Sequence, residues 1–128
     1  MTTDLVTSTP ISQPKPTNLA IVRLRGLAPM ALTYLIAQIL IAAQAKGSTP
    51  ALLSRTTIPT SVLRGHGVDL GGMLSWECDA PSVPAIVKRI LQIASIKGMK
   101  TIIVQDHAEF DRTTEEQIAS AGITLIYA

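Results

Sequence analysis

Three acidic residues in one short segment have the spacing of a divalent-metal site. Asp69 lies in a glycine-rich stretch, and Glu77 and Asp79 follow it eight and ten residues later. Because side chains along a strand alternate between its two faces, a strand over 73–79 would place Glu77 and Asp79 on the same face. Carboxylate oxygens are ligands that Mg²⁺ prefers in proteins. The segment predicts either a magnesium site or a solvated strand face preceded by a turn in which Asp69 bonds its own backbone.

Four further features have a possible chemical role and a structural alternative. His66, between two glycines, could contact a phosphate or carry a proton, or it could be an ordinary loop residue. The residues 106–109 (Asp-His-Ala-Glu) follow an apolar segment, where parallel sheets place ligands, or they are a polar connection. Cys78 shares its predicted strand face with Trp76, which indicates packing. Five cations could line DNA phosphates or be solvated: Arg64, Lys88, Arg89, Lys97 and Lys100.

The composition indicates one globular domain with an aliphatic core. The chain has 128 residues, of which 47% are hydrophobic and 3% aromatic. A net charge of +2 is too small for strong electrostatic attraction to nucleic acid. A single cysteine excludes an internal disulfide and a cysteine-rich zinc site, and it fits a reducing cytoplasm. We therefore predict a cytoplasmic protein with one α/β domain over 19–128.

The first eighteen residues have a different composition from the rest. They are rich in Thr, Ser and Pro, and they contain no apolar run of the length of a signal peptide. The segment 1–18 is predicted to be a disordered tail or tether.

The segment 26–45 contains no charged residue. Pro29 stands where a helix begins and Gly47 where it ends, which predicts an apolar helix of about four turns. A helix that is apolar nearly all round is buried in the core, covered by a partner subunit or inserted in a membrane. The two glutamines, Gln38 and Gln44, and the α/β pattern downstream favour a core or interface helix over a membrane span of 26–45.

The remaining chain alternates between strand and helix patterns, with Gly98 and Gly122 as helix ends. Short links between strand, helix and strand predict parallel crossovers. The fold class is therefore α/β, with a mixed sheet, a parallel βαβαβ C-terminal half and one long apolar N-terminal helix. Strands are predicted over 19–24, 56–62 (an edge strand), 73–79, 100–105 and 123–127, and helices begin at Ser82 and at either Asp111 or Thr113.

Several of these segments resemble the restriction-endonuclease-like superfamily, in particular the Mrr-like restriction enzymes and the Holliday-junction resolvases. The glycine turn with an Asp matches residues 67–70, and the acidic strand that follows matches 77–79 (Glu-Cys-Asp). The later strand, the Phe before a helix and the final strand match 102–105, 110–111 and 122–126.

This resemblance, over 27–128, implies Mg²⁺-dependent phosphodiester hydrolysis on DNA. Asp69 and Glu77 would hold the ion. Asp79 stands where the family keeps a lysine, so its charge would oppose a phosphodiester, and Lys88 is the candidate substitute cation. The chain would then be an active enzyme or an inactive DNA-associated relative. The alternative is a non-catalytic interaction or assembly domain, a homo-oligomer or a subunit of a larger assembly, that associates through the apolar helix 30–45.

Overall fold

The computed structural model describes residues 20–128, and the predicted tail over 1–18 lies outside this range. The chain forms a five-stranded sheet in the order β1-β5-β4-β2-β3, and all four strand pairings are parallel. The strands are β1 (Ile21–Arg23), β2 (Ala51–Ser54), β3 (Leu74–Glu77), β4 (Thr101–Gln105) and β5 (Thr124–Tyr127). The helices are α1 (Pro29–Ala45), α2 (Thr60–Gly65), α3 (Val83–Lys97) and α4 (Arg112–Ser120), and 3₁₀ turns occupy Leu70–Gly72 and Ala80–Ser82.

Helices cover both faces of this sheet, and each face has its own apolar core. On one face, α1 and α2 pack against alternate residues of the strands, Leu52, Ile103 and Ile126. On the other face, α3 and α4 pack against the intervening residues, which include Leu53 and Val104. Because its side chains are buried on both sides, a central strand must be apolar throughout. The run Ile-Ile-Val in β4 meets this requirement.

The α/β class is confirmed, but the expected mixed sheet is wrong: the described strands form a parallel sheet. Each strand is joined to the next through at least one helix, and a helical crossover returns the chain to the same end of the sheet. The predicted edge strand over 56–62 is also wrong. Pro59 stands at the N-terminus of α2, and the strand lies earlier, at Ala51–Ser54, where all four residues are buried. This short apolar run lacks the alternation expected of an edge strand.

Helix α1 spans 17 residues and buries only one side, through Ile36, Ala37, Leu40 and Ala43. Gly47 ends this region with a φ of +80°, a conformation that favours glycine. Within residues 20–128, no helix combines the length and the apolar character needed to cross a membrane.

The ends of α3 and α4 follow from local capping. Gly98 takes the left-handed conformation after α3 and its N–H bonds the carbonyl of Ala94, as the sequence predicts. Ser82 precedes α3 but its side chain makes no capping bond. Of the two candidate caps for α4, the structure selects Asp111, whose Oδ1 accepts a hydrogen bond from the Thr114 N–H at 2.8 Å. This bond lowers the pKa of Asp111 below its ordinary value of 3.8.

We expect Asp111 to make stability depend on pH. Because the pKa of Asp111 is lower in the folded than in the unfolded state, its carboxylate stabilises the folded protein at pH values above the ordinary pKa of 3.8. This stabilisation is lost as the pH falls through the folded-state pKa. Asp111→Asn keeps a neutral acceptor and Asp111→Ala keeps none. In urea unfolding between about pH 7 and about pH 2, the advantage of wild type over Asp111→Asn should disappear at the acid end. A difference that stays constant over this range would contradict the assignment.

Candidate functional site

The carboxyl ends of the five strands meet at one edge of the sheet, which we call the rim. The chain leaves β2 towards α2 on one face and leaves β4 towards α4 on the other, and β2 and β4 are neighbours. In open parallel sheets such a switch point is where ligands bind. The candidate residues that follow strands at the rim are Thr56, Cys78, Asp79, Asp106 and His107.

The predicted alternation along β3 is correct. Leu74 and Trp76 are partly buried towards α3, whereas Ser75, Glu77 and Asp79 are exposed. One oxygen of Glu77 nevertheless has a structural partner, because its Oε2 accepts the Ile58 N–H at 2.9 Å. This bond holds the segment between β2 and α2 against the end of β3.

Asp69 lies at the opposite end of β3 from Glu77. It directly precedes the 3₁₀ turn before β3, whereas Glu77 is the last residue of the strand. At about 3.3 Å per residue, the four residues of β3 alone separate the two ends by about 10 Å. The fold therefore draws these two predicted metal ligands apart.

The contacts of Asp69 are those of a turn residue. Its Oδ1 accepts the Gly71 N–H at 3.1 Å, and its backbone N–H and carbonyl both bond the side-chain amide of Gln44, at 3.0 and 2.7 Å. A Cβ at Gly72 would lie 3.0 Å from Asp69 Oδ2 and 3.2 Å from Gln44 Nε2, so glycine fits this crowded turn. These contacts favour the structural alternative for Asp69.

The other two predicted site residues do not complete a metal site. Asp79 is exposed and precedes the 3₁₀ turn before α3, and its side chain makes no capping bond there. Lys88 is exposed on α3, which covers the opposite face of the sheet from the loop that Glu77 contacts. It lines a groove of about 800 Å³ between α3 and α4. Within the described part of the chain, no group of three or more His, Cys, Asp or Glu side chains could hold a metal ion. The magnesium site stays a prediction without geometric support.

The rim contains a polar cluster that sequence reasoning missed. Ser54 is completely buried, and its Oγ accepts the Thr56 N–H at 3.2 Å. Thr56 Oγ1 in turn donates to Asp106 Oδ2 at 3.2 Å, and Asp106 has a φ of +60°. Asp tolerates this left-handed conformation better than most residues. These bonds connect the end of β2 to the end of β4. The sequence signal that could have located them is the short apolar run Ala-Leu-Leu that ends in Ser54.

Cys78 and His107 meet beside this cluster. His107 is only 5% exposed, and its Nε2 lies 3.9 Å from Cys78 Sγ. Burial, reinforced by the charge of Asp79, raises the pKa of the Cys78 thiol above its ordinary value of 9.0. The thiol is therefore protonated at neutral pH, which opposes a nucleophilic role and agrees with its predicted packing role.

The segment 106–109, the alternative small-molecule site, is attached to the first strand and its loop. Arg23 forms a bidentate pair with Glu109, with N–O distances of 2.9 to 3.2 Å, and Arg25 donates to the His107 carbonyl. Both guanidinium groups lie over the Tyr127 ring, 5.7 and 5.2 Å from its centroid. A cavity of about 580 Å³ separates this segment from the start of α1. Among the residues that line this cavity, Arg25 bonds the His107 carbonyl, whereas the Asp106 carboxylate bonds Thr56, which lies outside the lining.

Glu77→Ala should lower the free energy of unfolding by about 1 kcal/mol, because the Ile58 N–H loses its partner. Glu77→Gln should cost less, since the amide oxygen can still accept. Urea unfolding measures both, with Ser75→Ala as a control on the same strand face. If MgCl₂ raised the melting temperature of wild type and Glu77→Gln removed that increase, the magnesium site would be supported and the purely structural role refuted.

Alkylation of Cys78 by iodoacetamide should be slow at neutral pH and reach half its maximal rate above pH 9.0, because its pKa is raised. Asp79→Asn should move that midpoint to lower pH by removing the nearby negative charge. Glu116→Gln, which removes an acid from α4, is the control. Rapid alkylation of wild type at neutral pH would show that the thiol is activated.

Comparisons with known proteins concern the fold. No protein-family model and no curated protein sequence matches the chain. Among solved structures, the chain is similar to the crystal structure of SulA from Pseudomonas aeruginosa, with a TM-score of 0.60 and 18% sequence identity. The match covers 84% of this chain and 92% of the SulA chain. At this identity the likeness shows a shared α/β fold and nothing about chemistry.

Proposed function

We propose that this chain is a non-catalytic α/β interaction domain that assembles through the outward side of α1. The observation that carries this proposal is the exposure of large apolar side chains on a helix without charge. Met30 is 87% exposed and Tyr34 is 51% exposed, whereas the segment 26–45 contains no Asp, Glu, Lys or Arg.

Such a surface is unusual for a helix that faces water. Surface helices of globular proteins normally carry charged and polar residues on the side opposite to the core. The centres of protein interfaces, in contrast, are enriched in Tyr and Met and depleted of charge. The outward side of α1 has the second composition, so covering it with another protein surface would desolvate no charged group.

His66, which directly follows α2, contributes to the same surface. The His66 ring contacts Tyr34 edge-on, with 5.7 Å between the ring centroids and 76° between the ring planes. This contact limits the positions open to the Tyr34 ring before any partner binds. A pre-positioned aromatic side chain loses less conformational entropy on association, which favours binding.

The nuclease interpretation has weaker support. Asp69 and Glu77 lie at opposite ends of β3, and each has a backbone partner of its own. Asp79 brings negative charge to the side of the sheet that a phosphodiester would have to approach. Magnesium binding, DNA binding and hydrolysis therefore stay predictions from a sequence resemblance. No contact within residues 20–128 supports them.

Tyr34→Glu should weaken self-association at least about tenfold, because association would then bury an unpaired carboxylate. Analytical ultracentrifugation over a wide concentration range measures this effect. Ile96→Glu is the matched control, since Ile96 is 80% exposed on α3, on the opposite side of the sheet. Equal dissociation constants for wild type and both variants would refute self-association through α1. Equal weakening by both would point to a non-specific effect of charge.

A further inference from the structure

We infer that the partner of α1 is a second copy of this chain, and that the two α1 helices pack antiparallel about a two-fold axis beside Gln38. This inference rests on the proposed function and specifies its partner and register. It follows from the order of the exposed residues along α1.

Five of the seven exposed residues of α1 are symmetric about Gln38, and the other two, Pro29 and Met30, lie in the first turn of the helix. Tyr34 and Ala42 each lie four residues from Gln38, and Ala31 and Ala45 each lie seven residues from it. At about 100° per residue, the five positions fall within a stripe about 80° wide. A two-fold interface is formed by the same patch on both copies, so a residue on one side of the axis meets its mirror position on the other. An antiparallel helix pair centred on Gln38 satisfies this condition over four turns.

The side chains brought together in this register complement one another in size. Tyr34 of each copy lies over Ala42 of the other, so a large side chain fills the space that a small one leaves. Ala31 lies opposite Ala45 at both ends, which permits close approach of the two backbones. A parallel pair would instead place Tyr34 against its own copy and Ala42 against its own copy, which would crowd one turn and leave a gap at another.

The polar group at the axis is also self-complementary. A glutamine amide contains both a donor and an acceptor, so two Gln38 side chains can bond each other across the axis. This arrangement would pair the two amides with each other inside the interface, whereas an apolar partner surface would leave them without a hydrogen-bond partner. No charged side chain of α1 opposes the pairing, because the helix has none.

Disulfide cross-linking tests the register directly. In a Cys78→Ser background, Gln38→Cys places two thiols beside the proposed axis, where the two helices come closest. Under mild oxidation we expect the covalent dimer to form at least about tenfold faster than with Ile96→Cys, which reports random collisions. Ala31→Cys and Ala45→Cys should cross-link poorly alone and efficiently when the two variants are mixed. Non-reducing electrophoresis and mass spectrometry identify the products.

The outcomes separate this inference from the proposed function. If the protein dimerises and Tyr34→Glu disrupts the dimer, but Gln38→Cys cross-links no faster than Ile96→Cys, the register is wrong and assembly through α1 stands. Efficient cross-linking of Ala31→Cys with itself would likewise indicate parallel packing and overturn the inference. If the protein is monomeric but Tyr34→Glu abolishes binding to a different protein, the second copy is the wrong partner. A monomer that shows neither effect would refute both proposals.

Discussion

Parallel pairing of every strand is the constraint on which the rest of this structure depends. It requires a crossover between consecutive strands, and each crossover here contains a helix. Because the chain moves one way along the sheet from β1 to β3 and back from β3 to β5, right-handed crossovers place these helices on both faces. The central strand β4, hydrogen-bonded to β2 and β5, is buried on both sides through Ile102, Ile103 and Val104. With 3% aromatic residues in the chain, these two cores consist mainly of aliphatic side chains.

Parallel pairing also determines where the acidic residues of this segment lie. A parallel strand enters at one edge of the sheet and leaves at the other, so Asp69 before β3 and Glu77 at its end are held apart. Each carboxylate accepts a hydrogen bond from a backbone N–H of a nearby loop, Asp69 from Gly71 and Glu77 from Ile58. At the rim, Thr56 bonds both Ser54 and Asp106, which joins the ends of two neighbouring strands. These polar groups bond the backbone and side chains of the connections.

Within residues 20–128, the outward side of α1 is the part of this helix that the core does not bury. The sheet needs only one side of this helix to cover its face, and Ile36, Ala37, Leu40 and Ala43 supply that side. The rest of the helix is equally free of charge, although its residues are not required by the core. This excess of apolar surface is the feature that our functional proposal explains, since a second subunit would bury Met30 and Tyr34 as the core buries the inner side.

The sequence by itself determined the local features of this protein. The charge-free helix from Pro29, the alternation from Leu74 to Asp79, the glycine at the end of α3 and the apolar run of β4 are all encoded by neighbouring residues, whose periodicity and capping act over a few positions. Only the tertiary structure decided which strands are neighbours, that all run parallel and that Asp69 and Glu77 lie at opposite ends of a strand. These features depend on pairings between distant segments, whose hydrogen bonds leave no periodic signal in the chain.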